Sequence, residues 1–142
     1  MIMKLTRTLH ISSKEFYDYL EKELKNDALK NGKKKLHTIE KGTHFSKNGD
    51  NHYARIEFKV LEYQRGICYA LAMKSYTDTV IISYKTKEVS EGLEVEFEQI
   101  IDSEKNKKHN IIAEKFYETI YLSRMSRTIY DIETAIIKER QA

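Results

Sequence analysis

From Leu36 to about Asp102 the sequence alternates apolar and polar residues with a period of two, in five successive segments. Few folds accommodate that pattern, because side chains two apart share one face of a strand. The segments 36–46, 52–62, 67–76, 79–88 and 93–102 read as strands. Let Ile39, Thr43 and Phe45 face inward. A turn at Asn48-Gly49 then brings Ala54, Ile56 and Phe58 to the same side, with His52 opposite Phe45. Turns at Gln64-Arg65-Gly66, Thr77-Asp78 and Ser90-Glu91 align Ile67, Tyr69, Leu71 and Met73, then Val80, Ile82 and Tyr84, then Leu93, Val95, Phe97 and Gln99. Every bulky apolar set lands on one face, as an antiparallel meander with one covered face requires. The other face is then also explained, since Lys85 and Lys87 fall opposite Glu96 and Glu94.

The flanking segments change period. Met3, Leu5, Leu9 and Ile11 alternate as a half-buried strand. Ser12 and Glu15 form a Ser-x-x-Glu capping box, followed by Phe16, Leu20 and Leu24 at four-residue spacing. That predicts an amphipathic helix to about Leu29, with a break near Asn26-Asp27 giving one or two short helices. From about Lys107 the helical period returns. Ile112, Phe116 and Ile120 form one stripe, and Leu122, Met125, Ile129, Ile132 and Ile136 form another on a different side. Either the helix bends near Tyr121 to Met125, or its halves pack against different things.

With 142 residues, 40% hydrophobic, the chain has enough apolar material for a core. No Pro, Ser/Gly-rich linker or repeat interrupts it, so residues 1–142 read as a single domain. The longest apolar run, Ile67 to Met73, falls far short of the roughly 18 residues a membrane span needs. Met1-Ile2-Met3-Lys4 lacks a secretory signal, and the single Cys68 forms no internal disulfide. A cytoplasmic location is the expectation.

The net charge of +3 gives no strong field to steer a polyanion. Lysines crowd residues 22–41, while the charged residues from Glu88 to Glu104 are all acidic. Lys33-Lys34-Lys35 lies beside the Asn31-Gly32 turn, not on an aromatic platform or a groove-reading helix, so no nucleic-acid partner is expected. His44 and His52 fall on opposite faces, and Glu94, Glu96 and Glu98 project from one strand towards lysines. Neither set converges on a metal. Cys68 faces outward near Lys74, and no nucleophile elbow or phosphate-cradling glycine loop is present. No catalytic residue, metal or cofactor is expected.

Strand, helix, meander and long terminal helix match the helix-grip fold, an α+β arrangement. In it a curved antiparallel sheet, here of about six strands, packs on a long C-terminal helix. Two stretches carry the likeness: Ser12-Ser13-Lys14-Glu15-Phe16-Tyr17-Asp18-Tyr19-Leu20, and Tyr69, Ser75, Ile82-Ser83-Tyr84 with Val95-Glu96-Phe97-Glu98. The chain resembles the START-like (SRPBCC) superfamily, and within it a family of small uncharacterised START-like proteins from Firmicutes. The resemblance implies a fold and a cavity, shallower than in seven-stranded relatives, and no reaction.

Tyr69, Tyr84 and Gln99 place polar tips among inward apolar side chains, and Phe116 and Ile120 face them from the terminal helix. Those five residues are the expected ligand-binding set, with Tyr117 and Tyr121 able to add hydroxyls. The favoured reading is a non-enzymatic binder of a small hydrophobic molecule, as monomer or homodimer. One alternative is a cyclase- or aromatase-like enzyme using Tyr69, Tyr84 or inward-facing Arg7 as acid or orienting donor. The other is a protein-interaction module with a filled core.

Overall fold

A computed structural model describes residues 1–48, 55–103 and 111–141. The elements are β1 (Ile2–Leu9), α1 (Ser13–Asn31), β2 (His44–Lys47), β3 (Ile56–Gln64), β4 (Cys68–Lys74), β5 (Asp78–Val89), β6 (Gly92–Ser103) and α2 (Ile111–Arg140). The six strands form one antiparallel sheet in the order β1-β6-β5-β4-β3-β2. The expected α+β helix-grip fold, a curved six-stranded sheet packed on a long C-terminal helix, is the fold of the protein.

The register of the central strands follows the alternation. Tyr69 pairs with Tyr84, Leu71 with Ile82 and Met73 with Val80. Tyr84 pairs with Phe97 and Ile82 with Gln99, while Lys85 and Lys87 oppose Glu96 and Glu94 on the outer face. β1 closes the sheet against β6, setting Met3, Leu5 and Leu9 opposite Gln99, Phe97 and Leu93. Where β6 starts, Gly92 has φ +146, and a Cβ there would sit 2.1 Å from the Leu9 carbonyl oxygen. Only glycine lets the two strands meet so closely.

Four features depart from the sequence reading. First, β2 is four residues long, and Phe45 pairs with Phe58, not His52. Lys47 pairs with Ile56, a register that a tight turn at Asn48-Gly49 does not allow. His52, Ala54 and Gly49 lie outside the described residues. Lys33 and Gly42, both at positive φ, divert the chain ahead of β2, yet Ile39 is still buried. Second, a bulge between Val60 and Glu62 inserts Leu61 and returns Tyr63 to the inner face opposite Tyr69. Third, Ile67 sits in the β3–β4 turn and is exposed, rather than facing inward. Fourth, α1 is one unbroken helix of 19 residues.

α1 begins at the capping box, in which Ser12 Oγ accepts from the Glu15 N–H and the Glu15 carboxylate accepts from the Ser12 N–H. Its Phe16, Leu20, Leu24 and Ala28 are buried against the sheet. It ends where Gly32 passes close to β2; a Cβ there would lie 2.8 Å from the Ser46 carbonyl oxygen. α2 runs unbroken for 30 residues along β1. Met125, Ile129, Ile132 and Ile136 are buried, so the second stripe is the one that packs. Its C-terminal end is tied to α1 and β1. Arg140 donates to both Glu15 carboxylate oxygens (2.6 and 2.7 Å) and to the His10 carbonyl (3.0 Å). Lys22 pairs with Glu139 at 2.6 Å, and the His10 N–H donates to Glu133 at 2.7 Å.

Phe97 and Ile132 are both buried in the sheet–helix core. Phe97→Ala and Ile132→Ala should each destabilise the fold by about 2–5 kcal/mol in denaturant unfolding. A loss below about 0.5 kcal/mol would remove that residue from the core. A second expectation concerns acid. The Arg140 guanidinium holds the Glu15 carboxyl at about 2, well below its ordinary 4.5. A lowered folded pKa adds stability above the unfolded value and loses it as pH falls through the folded one. Arg140→Ala should therefore cost about 1 kcal/mol at pH 7, since solvent screens a carboxylate 29% exposed. The difference from the parent should shrink between pH 4.5 and 2. A constant difference across that window would show that Arg140 acts through packing instead.

Candidate ligand-binding groove

The inner face of the sheet has two ends with different fates. At the end where β6 begins, α1 drives aromatic side chains into the sheet. Phe16 packs edge-on against Tyr84 (centroids 5.5 Å) and against Tyr17 (5.4 Å). Tyr84 contacts Phe97 at 4.7 Å and Tyr69 at 6.3 Å, and Tyr63 meets Tyr69 at 5.8 Å and Tyr17 at 6.1 Å. The Tyr17 and Tyr63 hydroxyls at this end are partnered. The Tyr17 hydroxyl bonds Thr86 Oγ1 at 2.8 Å, and Thr86 donates on to the Gly66 carbonyl at 3.2 Å. Tyr63 donates to Glu21, and Arg65 ties Glu21 (2.6 Å) to Asp18. Burial, then the Glu21 contact, pushes the Tyr63 hydroxyl up. This end is closed.

The structure therefore brings Tyr69 and Tyr84 together, 4% and 3% exposed, under Phe16 rather than under Phe116. Among the described residues neither hydroxyl has a hydrogen-bond partner. Burial pushes both phenols up, Tyr69 further through its neighbours Tyr84 and Tyr63. They stay protonated across the physiological range.

At the other end, where β6 finishes and α2 begins, the inner face is only half covered. Ile56, Met73, Val80 and Ile82 from the sheet, and Tyr121 and Leu122 from α2, pack on the core yet remain half-buried. Gln99 and Ile120 are half-buried too. The first stripe of α2 does not seal this end, because Ile112 is 82% exposed and Phe116 64%. The expectation that Phe116 packs over Tyr69 and Tyr84 is thus corrected. α2 is tied to the rest of the fold through its C-terminal half, by Arg140, Glu139 and Glu133. Asp78 lies on the same strand face as Val80, Ile82 and Tyr84, and its Oδ1 is buried without a partner among the described residues.

Sequence reasoning missed Phe16 and Tyr17 as the cover over Tyr84, although their helix was legible. It also missed Asp78, which it placed in a turn.

A cleft of about 350 Å³ lies between α1 and the end of α2, lined by Asp18, Tyr19 and Ile136 and crossed by the Glu15–Arg140 and Lys22–Glu139 pairs. Among the described residues no three His, Cys, Asp or Glu side chains gather where a metal could bind. Glu96 is held by Lys4 at 2.8 Å on the outer face, and Cys68 sits opposite Lys85. No helix of the described residues is long and apolar enough to cross a membrane.

A family model described as Domain of unknown function (DUF3284) matches residues 3–122, and the chain belongs to that family. No curated protein matches the sequence. Solved structures do match. The protein of unknown function SA2116 from Staphylococcus aureus superposes with a TM-score of 0.65 at 11% identity, over 99% of this chain and 95% of that one. Ara h 8.0201 gives a TM-score of 0.65 at 9% identity, over 97% and 98%. The Aha1 dimer from Colwellia psychrerythraea gives 0.56 at 14%, over 94% and 96%. At such identities the likeness shows the fold alone, and it is the Bet v1/START-like one.

Removing a hydroxyl that bonds nothing in the fold should cost little. Tyr84→Phe should hold its unfolding free energy within about 0.5 kcal/mol of the parent. A loss above about 1.5 kcal/mol would mean the hydroxyl has a structural partner, and would take it out of the groove.

Proposed function

We propose that this DUF3284 member binds a small, largely hydrophobic molecule, without transforming it, in the groove between the half-covered end of the sheet and the first half of α2. One observation carries this reading. Ile56 of β3, Met73 of β4, Val80 and Ile82 of β5, and Tyr121 and Leu122 of α2 pack on the core yet stay partly buried, while the opposite end of the sheet face is closed by aromatic packing. An apolar concavity with few polar groups is the usual form of a small-molecule site. In this reading Val80, Ile82, Met73, Leu122 and Ile120 line the groove. Tyr69, Tyr84 and Gln99 supply its inner polar tips, and Phe116 stands at the mouth.

The phenols support a binder over a cyclase- or aromatase-like enzyme. Hydroxyls pushed up by burial are poor acids at neutral pH but serve as hydrogen-bond donors. The exposed Ile112 and Phe116 support a second reading, an interaction module that docks a partner on the start of α2. The wider proposal keeps residues 1–142 as one domain, a cytoplasmic setting, and a monomer or homodimer.

The neutral fluorophore N-phenyl-1-naphthylamine should brighten on binding the protein, and amide shifts in labelled protein should cluster on Val80, Ile82, Tyr121 and Leu122. Tyr84→Phe should weaken a ligand that uses that hydroxyl by about 0.5–1.5 kcal/mol. Shifts confined to the outer face around Lys74, Lys85 and Glu96 would overturn the groove reading, and shifts confined to Ile112 and Phe116 would promote the interaction module.

A further inference from the structure

Asp78 is the feature the fold does not use. Its backbone holds the β4–β5 turn: the Asp78 N–H donates to Ser75 Oγ at 3.1 Å, and its carbonyl accepts from the Ser75 N–H (2.8 Å) and hydroxyl (3.2 Å). The side chain takes no part in that turn. Strand alternation from Tyr84 through Ile82 and Val80 directs it to the inner face, at the open end of the sheet. Among the described residues Oδ1 is buried with no hydrogen-bond partner and Asp78 forms no ion pair. A buried acceptor left unpaired is costly, more so when it carries charge, and such groups in native proteins point to an occupant.

We propose that Asp78 is the polar anchor of the groove, where its carboxylate accepts a charge-assisted hydrogen bond from a protonated amine at the end of a hydrophobic ligand. The inference rests on the groove reading above and names the ligand class for it. The apolar part of the ligand lies along Met73, Val80 and Ile82, the side chains next inward from Asp78. A carboxylate gains more from a cationic donor than from a neutral one, and it repels a second carboxylate. The site therefore selects an amphiphilic amine over an alcohol or a fatty acid of equal length.

The test is displacement of N-phenyl-1-naphthylamine at pH 7 by decylammonium, 1-decanol and decanoate. Decylammonium should displace the fluorophore at about tenfold lower concentration than 1-decanol, with decanoate weakest. Asp78→Asn should bring amine and alcohol to within about twofold and improve decanoate. Asp78→Ser, which also spares the Ser75 backbone bonds, should repeat that result if the amide perturbs the turn. Equal displacement by amine and alcohol in the parent protein overturns the anchor while leaving the groove intact. So does an amine preference that survives both substitutions. Failure of the fluorophore and all three amphiphiles to bind overturns the groove reading itself, and the anchor with it.

Discussion

Phe16 wedged against Tyr84 is the contact on which the rest of the molecule depends. A sheet with one apolar face needs a cover, and this one is too broad for a single helix. α2 lies along β1, at one edge, so the far strands are left to α1. Phe16 and Tyr17 reach Tyr84, Tyr63 and Thr86, joining β3, β5 and the helix in one aromatic block. Edge-on and offset ring pairs add to the area they bury, by about 0.5–1.5 kcal/mol each. Because α1 places its bulk at that end, no described residue gives Ile56, Met73, Val80 and Ile82 an equivalent cover, and all four stay partly buried. The open groove is the other side of the same packing decision.

Glu15 connects the local and the global levels. Its carboxylate closes the first turn of α1 and also receives both arms of Arg140, which arrives from the last turn of α2. One side chain thereby caps a helix and fixes the terminal helix's angle. The Glu133 contact to His10 and the Lys22–Glu139 pair act on the same end. Three polar ties hold α2 at its C-terminal half. That explains why an apolar stripe as regular as Ile112 and Phe116 is left facing solvent.

What the sequence made legible was what strand periodicity controls. The pairing of Lys85 with Glu96 and of Tyr69 with Tyr84 follows from alternation plus tight turns, and both are in the fold. The capping box fixed where α1 starts for the same reason, since its signal is local. Non-local choices were not legible. Nothing in Met3 to Leu9 says that β1 pairs with β6 rather than with β2. The bulge at Leu61 breaks the alternation to turn Tyr63 inward, a gain that depends on Tyr17 and Tyr69 being nearby. The candidate site divides along the same line. Tyr69, Tyr84 and Gln99 lie on the inner face as alternation requires, whereas Phe116 was assigned by helical spacing alone, and spacing does not say which stripe of a helix meets the sheet.

The placement of polar groups along β5 gives the inner face a direction. Starting at the closed end, Thr86 is bonded to Tyr17 and Gly66, Tyr84 carries a neutral phenol, Ile82 and Val80 are apolar, and Asp78 ends the row with a bare carboxylate oxygen. A molecule lying along that row meets donors deep in the fold and an acceptor at its rim. An inner face built only for packing would carry an apolar residue at position 78, as it does at Val80 and Ile82. Keeping Asp78 inward costs stability that the turn does not need, because Ser75 already supplies the turn's hydrogen bonds. Such a local conflict between burial and polarity is where function is expected to reside in a sequence otherwise consistent with its fold.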